Sequence, residues 1–208
     1  NKYKAEKFII YLQNYTNTYM PLDSFRDILI DCTGEDIVEI AVSTRPDCIT
    51  DEHLLIMDDI KDRFNVNITV EIGLQSANYH TLYKINRGHT LAEFIDASIR
   101  VKKHGFNLAA HIILNLPLDN DVDVIESAKL ITALGFDTVK LHSLYITKNS
   151  GLAKLYRNGD INICTSDDYI KKCALFIEYC PASISIERFF ARAPEEGSLF
   201  VNWGRSWR

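Results

Sequence analysis

The sequence predicts an α/β fold in which parallel strands alternate with helices, and three observations support this prediction. The chain contains six short apolar runs, which are rich in β-branched residues and too short for helices. These runs start roughly 30 residues apart, with two longer intervals, which is the period of a repeated strand–helix unit. The segments between the runs carry apolar residues at helical spacing.

The near-continuous apolar character of the six runs indicates parallel strands that are covered by helices. Right-handed crossovers between such strands give either a doubly wound sheet or a barrel. A complete (β/α)8 barrel usually needs about 250 residues. The 208 residues therefore predict one domain, residues 1–208, folded as a partial (β/α)6 TIM-type barrel with outer helices and without its first βα unit. The predicted strands are Ile9–Gln13, Ile37–Ser43, Ile68–Leu74, Leu108–Leu116, Thr138–Leu144 and Ile184–Phe189.

The helices between the strands are predicted from apolar periodicity and from residues that suit helix ends. Thr90 and Glu93 have the spacing of a capping box, and Thr50 suits the start of the helix that contains Leu54. Gly105 and Gly135 follow the last periodic residues of two helices, where a left-handed backbone is common. The other predicted helices are Pro21–Leu29, Thr90–Lys103, Val124–Leu134 and Ser166–Tyr179.

The composition is that of a globular cytoplasmic protein, with 47% hydrophobic and 25% charged residues. No apolar run approaches the ~20 residues that cross a membrane, and the first residues do not resemble a signal peptide. Since Met is absent from position 1, we expect the chain to be a piece of a longer protein. The net charge is −5 and no basic patch indicates nucleic acid, although charge alone leaves a tRNA partner open.

The five cysteines have no C-x2-C spacing, which favours reduced thiols over a metal site in this chain. The sequence also lacks G-x-G-x-x-G, the P-loop, G-x-S-x-G and H-E-x-x-H. These absences argue against a hydrolase and against an enzyme that holds nucleotide phosphates.

Polar residues cluster where the predicted strands end, which is where parallel α/β folds place their ligands. Each has a structural alternative: Gln13–Asn17 could satisfy loop backbone, Arg45 could pair with Asp47 or Asp51, and His111 could be a hydrogen-bonded core residue. Lys140, His142 and Glu187 are candidates to face a substrate. Lys140 and His142 share one face of their strand because a single residue separates them.

Several motifs resemble those of radical SAM enzymes. The stretch GLQSANYHTLYKINRGHT resembles the fourth-strand segment of the branch that contains oxygen-independent coproporphyrinogen oxidase and the Elongator catalytic subunit. HIILNLPLDND is similar to the fifth-strand segment of that branch. YLQNYTNTYMPL, STRPDCI and the closing NWG resemble an uncharacterised bacterial subgroup of the family.

The resemblance implies that the chain binds S-adenosylmethionine (SAM) at its strand ends. Gln75 and Arg87 match the glutamine and arginine that contact the ribose and the methionine carboxylate. A glutamine amide donates and accepts as ribose hydroxyls require, and a guanidinium offers planar donors to a carboxylate. The other SAM-binding residues that the resemblance implies are Gln13, Asn14, Asn17, Ser43, Arg45, His111 and Leu116.

The resemblance also implies a [4Fe-4S] cluster on a C-x3-C-x2-C motif, which this chain does not contain. We therefore expect a segment before the second barrel strand to carry the cluster, no metal ligand among these 208 residues, and an inactive fragment. In the full-length protein, an electron donor such as flavodoxin or ferredoxin would allow SAM cleavage to a 5′-deoxyadenosyl radical, which abstracts hydrogen from an unknown substrate. Asn115 and Leu118 stand where the family usually has glycines.

Two other readings remain open from the sequence. The chain could be an unrelated barrel lyase or aldolase that uses Lys140 as a Schiff-base amine. It could also be a binding module that kept the fold and lost the cluster and its catalysis.

Overall fold

A computed structural model describes residues 4–191 and 196–205 of the chain. Its elements confirm an α/β fold of alternating strands and helices. The strands are β1 Phe8–Leu12, β2 Ile37–Thr44, β3 Asn67–Gln75, β4 Asn107–Ile113, β5 Thr138–His142, β6 Ile146–Thr147, β7 Ser185–Arg188 and β8 Ser198–Phe200. The helices are α1 Leu22–Asp31, α2 Asp51–Phe64, α3 Tyr79–Lys84, α4 Leu91–Lys103, α5 Asp121–Ala133, α6 Gly151–Asn158 and α7 Ser166–Glu178.

Six strands form one sheet in the order β1-β2-β3-β4-β5-β7, and β6 pairs with β8 in a separate two-stranded sheet. The pairs β1–β2, β2–β3 and β5–β7 are parallel, whereas β6 and β8 are antiparallel. The consecutive order of the larger sheet follows from helical crossovers that each return the chain to the next parallel position. All six predicted strands are present, and β4 ends at Ile113, three residues before the predicted end.

Backbone contacts divide the chain into two compact units, so the prediction of a single domain over 1–208 stays a prediction. The first unit runs to Gly73 and includes Ala92–Ala109. Its core includes Phe25 of α1, Ile40 of β2 and Leu54 of α2, which are completely buried, and α1 packs against α2. Burying apolar surface of this kind contributes roughly 25 cal/mol per Å² to folding.

The second unit comprises Leu74–Leu91 and the chain from Ala110 onward. Helices α5 and α7 pack together, and Ile131, Tyr169 and Phe176 are buried completely. Gly105 and Gly135 both have positive φ, 68° and 71°, as the sequence predicted for residues that follow helices α4 and α5. Within the described ranges, no helix combines the length and the apolar character that a bilayer crossing requires.

Candidate functional site

The second unit contains a cavity of about 470 Å³ beside the ends of β3, β4 and β5. This volume lies within the usual range of small-molecule sites, about 300–1,000 Å³. The lining combines imidazoles, an amide, hydroxyls and aliphatic groups. The lining residues are Gln75, His111, Ile113, His142, Ser143, Leu144, Tyr145, Thr147, Ser150 and Leu152.

Gln75 ends β3 in a left-handed conformation, with φ of 72°. Such a backbone is disfavoured for residues with a Cβ and occurs most often where a side chain has a function. Gln75 is half-buried, and the following Ser76 is 1% exposed. The turn therefore directs the Gln75 amide to the cavity while the chain after it returns to the core.

The turn after Gln75 is fixed to helix α5 by two hydrogen bonds. The Ala77 amide donates to Ser127 Oγ at 3.1 Å, and Asn78 Nδ2 donates to Asp123 Oδ1 at 3.1 Å. Asn78 also caps α3, because its side chain accepts from two backbone amides of that helix. These contacts hold the end of β3, and hence Gln75, on a rigid support.

A half-buried carboxyl, that of Asp119, supports the same turn. Thr81 Oγ1 donates to Asp119 Oδ1 at 2.5 Å. Burial raises the pKa of Asp119, and hydrogen bonds from Ser76 and Thr81 act in the opposite direction. Asp119 thus links the first turn of α3 to the loop before α5.

Two histidines from neighbouring strands stack beside the cavity. The His111 and His142 rings have centroids 5.2 Å apart and planes inclined by 25°. Both line the cavity, so the predicted cofactor residue His111 and the predicted substrate-facing His142 lie together. Of the two other substrate-facing candidates, Lys140 is 5% exposed, and its Nζ pairs with Glu187 Oε2 at 3.2 Å.

The turn after β4 is held by Asn115, which stands where the family usually has a glycine. Its Oδ1 accepts a hydrogen bond of 2.6 Å from the Leu144 amide. Leu116, which the resemblance assigned to cofactor binding, is 3% exposed and belongs to an apolar cluster with Leu144 and Ile146. Its role at a cofactor stays a prediction.

Arg87 follows α3 and is half-buried. Its backbone amide donates to the Leu82 carbonyl at 3.0 Å, and Gly88 has φ of 80°, so the chain turns here as the sequence indicates. Arg87 is not among the residues that line the cavity described above. Its proposed contact with a SAM carboxylate remains a prediction.

The remaining predicted cofactor residues lie in the first unit. Gln13 and Asn14 are exposed. Asn17 Nδ2 donates to the Leu12 carbonyl at 2.7 Å and to the Ser43 carbonyl at 2.9 Å. These bonds match the structural alternative in which this stretch satisfies loop backbone.

Arg45 forms a two-pronged ion pair with Asp47. Arg45 Nε and Nη2 donate to the two carboxylate oxygens at 2.9 and 2.6 Å. The hydrogen bond that Arg45 donates to Asp47 is the main cause that raises the pKa of Arg45. This is the pairing that the sequence offered as the alternative to a SAM contact.

The sequence reasoning missed a buried carboxylate in the first unit. Glu71 is 3% exposed, and Tyr11 Oη donates to Glu71 Oε2 at 2.6 Å. The available signal was a lone glutamate inside the apolar strand ITVEIGL, since buried carboxylates occur almost only with partners.

The described residues do not fit an iron–sulfur cluster. All five cysteines are free thiols, and no group of three His, Cys, Asp or Glu side chains within residues 4–191 and 196–205 could hold a metal ion. The SAM side of the site fits better, because Gln75 and His111 face one cavity of suitable size. The fold and this cavity define the class: a parallel α/β protein with a cavity at its strand ends, where such folds place their ligands.

Comparisons with known proteins place this class in a family. The model of the radical SAM superfamily matches residues 2–131, and that of the radical SAM C-terminal domain matches residues 136–208. The chain belongs to the radical SAM superfamily. It is 30% identical over 203 residues to the uncharacterized protein YtqA of Bacillus subtilis, covering 97% of this chain and 62% of YtqA.

Solved structures show the same fold. Elp3 of the archaeon Methanocaldococcus infernus, with its N-terminus deleted, has a TM-score of 0.78 at 17% identity, covering 91% of this chain and 49% of that one. Coproporphyrinogen III oxidase (HemN) from Escherichia coli, described as a radical SAM enzyme, has a TM-score of 0.57 at 15% identity, covering 79% and 38%. These solved structures confirm the predicted partial TIM-type barrel, and the family models confirm the predicted family.

Proposed function

We propose that the chain is the SAM-binding core of a radical SAM enzyme that abstracts hydrogen from an unidentified substrate. In such an enzyme, SAM held beside a reduced [4Fe-4S] cluster supplies the 5′-deoxyadenosyl radical. The chain spans 62% of YtqA, so the activity of a whole protein is part of this proposal. So are an electron donor such as flavodoxin or ferredoxin and a cytoplasmic location, which the five free thiols support.

The observation that carries the proposal is the shared cavity of Gln75, His111 and His142. The sequence resemblance implies that Gln75 and His111 contact SAM, and strand alternation makes His142 a candidate to face the substrate. A hydrogen-abstraction site needs the cofactor and the substrate in contact, because the reacting atoms must lie close together. One cavity that receives side chains of both kinds meets that need.

The residues of this cavity would act on SAM by positioning it. Gln75 can donate and accept through its amide, which suits the ribose hydroxyls. His111 offers a ring nitrogen on the next strand. Arg87, through its guanidinium, would hold the methionine carboxylate, and Ile113 and Leu152 would exclude water from the reacting groups.

The cluster ligands lie outside this set of residues in our proposal. The sequence lacks C-x3-C-x2-C, and the described residues offer no metal-binding group. No described residue of this chain is therefore assigned a role at the cluster. The 208-residue chain by itself should not catalyse SAM cleavage.

The family assignment replaces the alternative of an unrelated barrel lyase. The ion pair between Lys140 and Glu187 also disfavours a Schiff-base amine, which must be unprotonated to attack a carbonyl. Borohydride should therefore not trap Lys140 on a carbonyl substrate. The alternative of a non-catalytic binding module predicts an intact cavity without turnover.

The test combines iron analysis with SAM binding. After anaerobic reconstitution, the 208-residue chain should contain no stoichiometric iron or sulfide and should bind SAM weakly by calorimetry. A longer natural form that carries the cluster should bind SAM more tightly and release 5′-deoxyadenosine when it is reduced. A stoichiometric cluster in the 208-residue chain would contradict our placement of the ligands. A longer natural form that binds SAM but takes up no cluster and releases no 5′-deoxyadenosine would favour the binding module.

A further inference from the structure

The closing Asn-Trp-Gly motif forms a turn of three successive left-handed residues. The φ angles of Asn202, Trp203 and Gly204 are 43°, 53° and 71°. Glycine tolerates this conformation, but residues with a Cβ adopt it rarely, and they keep it only where surrounding contacts enforce it. The proposed function does not use this turn. Contacts elsewhere in the protein must therefore hold its left-handed conformation.

Asn202 closes a ring of three hydrogen bonds inside the protein. Ser143 Oγ donates to Asn202 Oδ1 at 2.5 Å, and Asn202 Nδ2 donates to the Ala191 carbonyl at 3.0 Å. The Ala191 amide donates back to Ser143 Oγ at 3.1 Å. Both side chains are almost fully buried, with 3% of Asn202 and 1% of Ser143 exposed.

This ring fixes the orientation of each group in it. Reversing the Asn202 amide would place its oxygen against the Ala191 carbonyl, where two acceptors would face each other. The Ser143 hydroxyl must then direct its single proton to Asn202 Oδ1, because its other contact is the Ala191 amide, a donor. The network is fully satisfied, and such buried networks select one conformation.

The neighbouring residues anchor the turn independently. Trp203 Nε1 donates to the Cys164 carbonyl at 2.7 Å. The Trp203 ring contacts the Tyr169 ring, with centroids 5.2 Å apart, and the Phe200 ring, with centroids 5.6 Å apart. Since β8 also pairs with β6, Asn202 is attached to a rigid support and can hold Ser143 in place.

Ser143 connects this turn to the cavity because it directly follows His142, and both residues line the cavity. The chain here is held from two directions. Ser143 is bound to Asn202, and the next residue, Leu144, donates its amide to Asn115 Oδ1. The His142 carbonyl accepts from the Leu114 amide at 3.3 Å.

We infer that Asn202 is a positioning residue that acts through Ser143 to hold the His142 ring against His111 in the cavity. The inference rests on the proposed function for the importance of this cavity. Without the Asn202 amide, the Ser143 hydroxyl loses the acceptor for its proton and the Ala191 carbonyl loses its donor. The chain after His142 then becomes free to shift, and the His142 ring moves relative to His111.

The test is the long-range 1H–15N spectrum of the histidine rings in the 208-residue chain at one fixed pH. Asn202→Gly removes the amide and keeps a residue that favours the left-handed backbone. Ser143→Ala removes the hydroxyl and is the second variant if Asn202→Gly does not fold. His142→Ala assigns the His142 signal, and His104, which bonds Asp58 in the first unit, is the internal control.

Both variants should shift or broaden the His142 signals and leave those of His104 unchanged. The double variant should add little to either single variant, because each breaks the same ring of bonds. Unchanged His142 signals in a folded variant, or equal changes in both histidines, would overturn the positioning role. If the longer, cluster-carrying form does not bind SAM by calorimetry while the variants still shift the His142 signals, the proposed function fails and the positioning role stands.

Discussion

The left-handed backbone of Gln75 allows its structural cost to be separated from its role at the cavity. Gln75 has a left-handed backbone, with φ of 72°, in which its Cβ causes steric strain. Gln75→Gly removes the Cβ, and the loss of this strain stabilises the fold by about 1–2 kcal/mol. Glycine also destabilises the fold by roughly 0.5–1 kcal/mol, because it increases the conformational freedom of the unfolded chain. We therefore expect a net gain of about 0–1.5 kcal/mol, and each 1 kcal/mol raises the Tm by roughly 2–4 °C for a chain of this size.

The same substitution removes the amide that we assign to the SAM ribose. In the cluster-loaded protein, Gln75→Gly should weaken SAM binding about tenfold or more, since one lost hydrogen bond is worth ~1 kcal/mol and an unpaired partner adds to it. Stability is measured by thermal and urea unfolding of the 208-residue chain, and affinity by calorimetry. Gains in stability with losses in binding are expected where a strained residue serves a function.

Two variants make the comparison specific. Gln75→Ala keeps the Cβ, so it should lose SAM affinity without gaining stability. Asn65→Gly relieves a similar left-handed residue, with φ of 51° at the end of helix α2, so it should gain stability without losing SAM affinity. If Gln75→Gly is no more stable than Gln75→Ala, the strain argument is wrong, and wild-type SAM affinity in both would remove the amide from the site.

Three further predictions follow from other residues. Arg87→Ala should lower SAM affinity by calorimetry, whereas Arg63→Ala, which breaks an exposed ion pair, should not; equal affinities would remove the carboxylate role. Burial lowers the pKa of His53. The contribution of neutral His53 to the free energy of unfolding should therefore be fully present above pH 6.5 and be lost as pH falls through the folded-state pKa. Urea unfolding at several pH values should show a smaller loss for His53→Asn, and matching curves would refute this. Burial raises the pKa of Cys173 to about 11, so at pH 8 iodoacetamide should label it roughly 100-fold more slowly than a thiol of ordinary pKa, as mass spectrometry can measure.

The sequence predicted the repeated architecture because each strand and helix carries its own local signal. Apolar runs located all six strands of the larger sheet, and Gly105 and Gly135 marked helix ends correctly. The small β6–β8 sheet escaped prediction because its strands have two and three residues. Its pairing joins Ile146 to Phe200, a contact between distant parts of the sequence that no local pattern encodes.

Two sequence signals, strand alternation and motif resemblance, indicated residues of the candidate site. The resemblance indicated Gln75 and His111, and strand alternation indicated His142; all three line one cavity. The sequence offered both an internal partner and a ligand for Asn17 and Arg45, and the structure shows internal bonds for both. The sequence could not decide between the two, because that choice depends on tertiary distances. The same limit hid the bond from Tyr11 to Glu71, whose residues lie on two different strands.

Two buried asparagines hold the wall of this cavity. Asn115 accepts a hydrogen bond from the Leu144 amide, while Asn202 accepts one from the Ser143 hydroxyl. A glycine at either place would give the backbone freedom but could not form these bonds. The chain therefore uses side-chain amides on both sides of residues 143–144 to fix the strand end that carries His142. The proposed site requires a rigid strand end, because the imidazole of His142 must keep a fixed position relative to a bound cofactor.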